Sequence, residues 1–125
     1  MSKHVLIADD EPNIVISLEF LMKREGYEVH VARDGPEALA AIQRERPALV
    51  LLDVMMPGKS GFEVCQAVRG DDALAAVKIL MLSAKGRDTD LAKGGALGAD
   101  AYMTKPFSTR ELADKVRSLL DESPP

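Results

Sequence analysis

The chain is poor in the features that commit a protein to several large function classes. Cys65 is its single cysteine, so neither an intramolecular disulfide nor a cysteine zinc site can form. Lysine and arginine number 16 against 20 acidic residues, a formal net charge of -4. A binder of nucleic-acid phosphates carries a basic patch, so direct nucleic-acid binding by this segment is not expected. No apolar run approaches a membrane span, and Met1-Ser2-Lys3-His4 lacks the apolar core of a signal peptide. The expectation is a cytoplasmic protein without membrane contacts. Internal repeats and low-complexity segments are also missing. The two histidines, His4 and His30, read as ordinary strand residues, without the companions that a metal site needs.

What the chain does have is enough material for one fold. Its 125 residues, 46% apolar and 29% charged, suffice to bury about two thirds of the unfolded surface in one core. Residues 1–121 are expected to form one domain and residues 122–125 a tail or the start of a linker. Short apolar runs alternate with amphipathic stretches. The pattern predicts strands over Val5 to Ala8, Glu28 to Ala32, Leu49 to Leu52, Lys78 to Leu82 and Ala101 to Met103. Between and after them it predicts helices over Pro12 to Glu25, Pro36 to Arg46, Gly61 to Arg69, Asp90 to Leu97 and Thr109 to Leu120. Pro12 suits a first helical turn, and Asp34 to Glu37 and Ser108 to Glu111 have capping-box spacing. Ile14, Leu18 and Leu21, like Leu112, Val116 and Leu119, fall at i, i+4 and i+7, one buried stripe per helix. Gly94 and Gly95 each cost about 1 kcal/mol relative to alanine within a helix, so the fourth helix is expected to be short or mobile. The central strands are apolar at every position, which burial on both faces of a parallel sheet requires.

A polar residue of a definite kind follows each of four runs. Asp9, Asp10 and Glu11 follow the first, Asp53 the third, Ser83 the fourth and Lys105 the fifth. If the runs are parallel strands, their carboxyl ends share the sheet edge where open α/β folds place ligand sites. Carboxylates crowded at one point either hold a proton or recruit a cation, and hard oxygen donors without clustered His or Cys favour Mg2+ over zinc. A magnesium site of this kind reaches phosphate oxygens and invites phosphoryl chemistry. A carboxylate serves as nucleophile in aspartyl-phosphate chemistry, lysine is a point charge suited to phosphate, and serine offers a hydroxyl donor. Asp53, Lys105 and Ser83 supply these three roles.

Four segments carry a family likeness through their order and spacing. They are Leu6-Ile7-Ala8-Asp9-Asp10-Glu11, Leu52-Asp53-Val54-Met55-Met56-Pro57 with Gly61, Met81-Leu82-Ser83-Ala84, and Gly98 through Phe107 with Tyr102, Lys105 and Pro106. Over essentially its whole length the chain resembles the receiver domain of bacterial two-component response regulators. The resemblance implies a doubly wound five-stranded parallel sheet of order 2-1-3-4-5 flanked by five helices, a flavodoxin-like or CheY-like α/β fold. It implies that a sensor histidine kinase or a histidine phosphotransfer protein passes a phosphoryl group from its phosphohistidine to Asp53. Asp10, Asp53 and the Met55 carbonyl would contact Mg2+ directly, and Asp9 through water. Lys105 would pair with the phosphoryl group, Ser83 would hydrogen-bond it, and the backbone at Ala84 and Met55 would complete its surroundings. Tyr102 resembles the switch aromatic that turns inward as the Ser83 hydroxyl moves toward phosphate. A cis Lys105-Pro106 bond is also implied, and Met55 and Lys85 hold variable positions that would tune phosphate lifetime.

The face made by the fourth helix, fifth strand and fifth helix is implied as the docking site for a downstream protein or output domain. Asp100, Glu111 and Lys115 fit the charges of a symmetric dimer on that face, but Leu91, Ala101 and Glu122 replace the lysine, aspartate and arginine that such a dimer needs. A monomer or a weak, phosphorylation-dependent dimer is therefore expected. The rival function is a small Mg2+-dependent phosphohydrolase with an aspartyl nucleophile. Such enzymes carry a second acid two residues after the nucleophile, where this chain has Met55. A flavodoxin-like cofactor binder is disfavoured by the acids after Ala8, where a phosphate cradle needs Gly, Ser and Thr donors. A docking-only domain that has lost phosphorylation is disfavoured by the complete acceptor set.

Overall fold

The runs that are apolar at every position become strands because helices cover both faces of the sheet they build. In a computed structural model, described over residues 3–56, 58–84 and 98–120, the strands are β1 (His4–Ala8), β2 (Glu28–Ala32), β3 (Leu49–Asp53), β4 (Lys78–Ala84) and β5 (Ala101–Lys105). The helices are α1 (Pro12–Arg24), α2 (Gly35–Glu45), α3 (Gly61–Arg69) and the carboxyl-terminal α4 (Thr109–Leu120). All strand pairs are parallel, in the order β2-β1-β3-β4-β5. The expected fourth helix, Asp90 to Leu97, lies outside the described residues together with Lys85. Four helices rather than the expected five are therefore described.

Alternation, hidden in the sequence, separates the two faces. Leu6, Ala8, Val50, Leu52, Ile79 and Met81 pack with Ala38 and Ile42 of α2 and Val64, Cys65 and Val68 of α3. Val5, Ile7, Leu49, Leu51, Leu80 and Leu82 pack with Val15, Leu18 and Met22 of α1 and Leu112, Val116 and Leu119 of α4. The α1 stripe is centred on Val15 rather than Ile14, which is only partly buried. The strand order reverses between β1 and β3, so the crevice at their carboxyl ends is the topological switch point where such sheets bind ligands.

Three strands run further than their apolar runs. β3 includes Asp53, β4 includes Ser83 and Ala84, and β5 includes Thr104 and Lys105. Their ladder partners come from distant segments: Asp53 lies beside Leu82, Ser83 beside Thr104 and Ala84 beside Lys105. Local hydropathy ends the runs early; the neighbouring strand carries them on.

Side-chain caps fix where the helices begin. The Asp34 carboxylate accepts the Glu37 N–H at 2.8 Å and the Ser108 hydroxyl accepts that of Glu111 at 3.0 Å. A reciprocal capping box at Ser60 and Glu63 starts α3; each such cap is worth about 1 kcal/mol. Arg46, at φ 47°, ends α2 in the left-handed conformation one residue after Glu45. A 3-10 turn at Asp72–Leu74, absent from the sequence reading, buries Leu74.

Candidate functional site

Asp9 directly follows β1, and its N–H still bonds the Ala32 carbonyl of β2 at 3.1 Å. Its side chain turns in at the crevice, fully buried, with one oxygen accepting the Glu11 N–H at 2.9 Å. Asp10 is exposed. Asp53, the last residue of β3, is 5% exposed and accepts the Met55 N–H at 3.3 Å. One carboxylate oxygen from each of Asp9, Asp10 and Asp53 lies within 4.8 Å of the others.

Lys105 reaches this cluster from the end of β5. Its Nζ lies 2.9 Å from Asp9 Oδ2, 3.4 Å from Asp53 Oδ1 and 3.5 Å from Glu11 Oε1. Glu11, grouped with the acids in the sequence but given no role there, is thus a third partner of the lysine. The following Lys105-Pro106 bond is cis.

The electrostatics follow from this crowding. Burial, and then the neighbouring charge of Asp9, push Asp53 up from 3.8 to about 6, although Lys105 and the Met55 N–H act in the other direction. Burial alone would lower Lys105, but the hydrogen bond to Asp9 and the charges of Asp53, Asp9 and Glu11 outweigh it and raise its pKa. The lysine therefore stays cationic through neutral pH, while Asp53 carries a charge that its surroundings only partly compensate. A hard divalent cation is the partner such a cluster fits: three carboxylates on one rim, an excess of negative charge and no soft ligand among them.

The remaining candidates lie close by. Ser83 is 1% exposed near the end of β4, and Ala84 ends that strand beside Lys105. Tyr102 pairs with Met81 and is partly buried against the α2 and α3 side of the core. Residues two apart on a strand share a face, so Ser83 and Tyr102 are diagonal neighbours on one side of the sheet. Met55 is 58% exposed at the mouth of the crevice. Gly61 sets the spacing on the far side: a Cβ there would overlap the Asp53 carbonyl oxygen, and its own N–H bonds the Val54 carbonyl at 2.9 Å. The sequence contained that glycine without a reason for it.

A second recess lies on the outer side of β5. A groove of about 570 Å3 runs between Tyr102, Thr104 and Pro106 on one side and Glu111, Asp114, Lys115 and Ser118 of α4 on the other. Asp100, expected to help build a dimer there, is instead bound by Arg69 of α3 at 2.6 Å and by the Ile79 N–H at 2.8 Å. The same guanidinium bonds the carbonyls of Val77 and Gly98, so Asp100 anchors the entry to β5. No helix among the described residues is long and apolar enough to cross a membrane.

The family model described as the response regulator receiver domain matches residues 5–117. A putative response regulator from Chloroflexus aurantiacus J-10-fl is similar at 35% identity, with 96% of this chain and 98% of that chain covered and a TM-score of 0.92. The chemotaxis response regulator CheY4 of Vibrio cholerae is similar at 34% identity, covering 96% and 100% respectively, with a TM-score of 0.89. The signal receiver domain of a signal transduction histidine kinase from Syntrophus aciditrophicus is similar at 28% identity, covering 98% and 96%, also with a TM-score of 0.89.

Proposed function

Because the chain belongs to the response regulator receiver domain family, we propose that it is a signalling switch phosphorylated on Asp53 in a Mg2+-dependent reaction. The observation that carries this reading is the buried Asp53 carboxylate, set between Asp9, Asp10 and Lys105 with its charge incompletely compensated. The donor in this reading is the phosphohistidine of a sensor histidine kinase or a histidine phosphotransfer protein.

Asp9, Asp10 and Asp53, with the Met55 carbonyl, are the residues that would hold Mg2+. When bound, the ion supplies positive charge to the phosphoryl oxygens and to the attacking carboxylate. An Asp53 oxygen attacks phosphorus in line, forming the O–P bond as the N–P bond to the donor imidazole breaks. The imidazole leaves with the electron pair of that bond. A carboxylate that is already ionised needs no general base, so catalysis reduces to placement and charge. Lys105 is the protein's own cation at that point: its Nζ is held at the site by Asp9 and can turn from one carboxylate toward the phosphoryl oxygens. Ser83 supplies a hydroxyl donor and Ala84 a backbone N–H.

Signal output follows from the Ser83 and Tyr102 neighbourhood. A Ser83 hydroxyl drawn to phosphate vacates space on the sheet face shared with Tyr102, and the ring moves into it. Tyr102 also lines the groove beside α4, so its movement remodels a surface available to a downstream protein or output domain. Phosphate contacts favour one of two arrangements, which is how a local charge becomes a change of surface. The engagement of Asp100 by Arg69 supports partner binding over a symmetric charged dimer on this face.

The test is incubation of the wild type and Asp53→Asn with a small acyl phosphate, with Mg2+ or with EDTA, followed by intact-mass measurement. One phosphoryl adduct on the wild type with Mg2+, and none on the variant, is the expected result. An unmodified wild type, or equal labelling of both proteins, would overturn the reading. Steady turnover of an organic phosphomonoester would favour the hydrolase instead, against the exposed Met55 standing where its second acid belongs.

A further inference from the structure

The fold brings together a set of ligating side chains that phosphorylation does not use. His4 opens β1, and His30 lies in the middle of β2. The parallel register puts Glu28 beside His4 and Leu6 beside His30, so the two imidazoles are diagonal neighbours on one face of the sheet. Glu45, the last residue of α2, comes down over them. His30 Nδ1 lies 3.1 Å from Glu45 Oε1 and His4 Nε2 lies 2.9 Å from Glu28 Oε2. A ring nitrogen of each histidine and a carboxylate oxygen of Glu45 all fall within 4.8 Å of one another. His30 Nε2 is buried and meets no hydrogen-bond partner, which commits the polar side of that ring to Glu45. His4, His30 and Glu45 lie beside Leu6, Ala41 and Pro47.

We propose that His4, His30 and Glu45 form a second metal site, for a borderline first-row divalent cation such as Zn2+. Two imidazoles and a carboxylate suit that class, whereas Mg2+ and Ca2+ take oxygen ligands. Bonds of about 2.0 to 2.2 Å set the donors of a tetrahedral zinc roughly 3.3 to 3.6 Å apart, so the donors need to close by little more than about 1 Å. The rings lie nearly parallel with centroids 5.7 Å apart, and their side chains are 45% and 42% exposed. They can therefore turn toward a shared ion without disturbing the core. Glu28 Oε2 lies 2.9 Å from His4 Nε2, so with His4 ligating through Nδ1 it would act as an outer carboxylate to that imidazole. The site lies at the amino end of β1, roughly 16 Å along the strand from Asp9 at about 3.3 Å per residue. It is thus separate from the acids, and it ties the edge strand β2 to β1 and to the end of α2. The proposal does not depend on the phosphorylation reading.

Isothermal titration of the tag-free full chain with Zn2+, in millimolar Mg2+ to occupy the acidic cluster, tests it. We expect one site of micromolar affinity, weakened about tenfold or more in His30→Gln and in Glu45→Gln and unchanged in Asp10→Asn. The absence of a Zn2+ isotherm in the wild type would overturn the proposal, as would equal affinity in the wild type and His30→Gln. So would loss of binding in Asp10→Asn alone. Metal-free melts establish that each variant folds; if His30→Gln does not, His4→Gln at its more exposed position gives the same reading.

Discussion

Asp53→Asn, although it removes the proposed phosphoacceptor, is expected to stabilise the metal-free protein at neutral pH. The carboxylate is nearly inaccessible at 5% exposed and sits beside the fully buried Asp9, and its pKa rises from 3.8 to about 6 despite Lys105 at 3.4 Å. At about 1.36 kcal/mol for each factor of ten in acidity, that displacement corresponds to about 3 kcal/mol disfavouring the ionised folded state. Screening at the rim of the crevice reduces it to about 1 to 3 kcal/mol. Asparagine keeps the shape and the oxygen that accepts the Met55 N–H while removing the charge. The sign has a definite pH window. Below about pH 4 the acid is protonated in both folded and unfolded states, so the two proteins should match. The variant's advantage grows as pH rises from about 4 to about 6 and is constant above that. The assay is thermal or urea denaturation in EDTA across this range, with a Tm gain of several degrees expected near neutrality for a domain of this size. Added Mg2+ should narrow the gap by stabilising the wild type. A variant less stable than the wild type at neutral pH, or a gain that persists undiminished below pH 4, would refute the reasoning.

Lys105→Met leaves the buried Asp9 and Asp53 carboxylates without their shared cation and should cost about 2 to 4 kcal/mol at neutral pH in EDTA, read from denaturation midpoints. Since the pKa of Lys105 is raised while Asp53 titrates near about 6, its contribution should hold from about pH 6 up to about 10.5, fall as Asp53 protonates at lower pH, and fade as pH rises beyond about 10.5. With Mg2+ limiting, the rate of phosphorylation by a small acyl phosphate should rise with pH through about 6 as Asp53 ionises, and saturating Mg2+ should move that limb to lower pH; stopped-time mass spectrometry follows both. Gly61→Ala drives a methyl group into the Asp53 carbonyl and should destabilise by about 1 to 3 kcal/mol while slowing phosphorylation, whereas Ala67→Gly on the exposed side of α3 should leave the phosphorylation rate unchanged.

Much of the site was legible because parallel strands end on one edge, so a polar residue closing an apolar run is already placed. That logic located Asp9, Asp53, Ser83 and Lys105 from hydropathy alone. It ended the strands too early, since a polar strand residue such as Ser83 is held by hydrogen bonds to β5, which local composition does not register. The two sheet faces were illegible because residues such as Leu51 and Leu52 are apolar alike; only the helices opposite them distinguish them. Ser60 and Glu63 have the spacing of a capping box, a signal as local as those at Asp34 and Ser108. Asp100 fits the charges of a dimer face in sequence, and its engagement by Arg69, 31 residues earlier in the chain, arises only when α3 and β5 are brought side by side. His4 and His30 lacked companions in sequence for the same reason: Glu45 becomes their neighbour only through the packing of α2 over β1 and β2.

The central claim is that the acids at the β1 and β3 ends make Asp53 the phosphoryl acceptor. It is tested most directly by treating the wild type with an acyl phosphate and Mg2+, trapping the acyl phosphate by borohydride reduction and mapping the modified peptide by mass spectrometry. The account predicts reduction to homoserine at position 53 alone, and none when EDTA replaces Mg2+. Modification at Asp9, Asp10 or a histidine, or at position 53 without dependence on Mg2+, would contradict it.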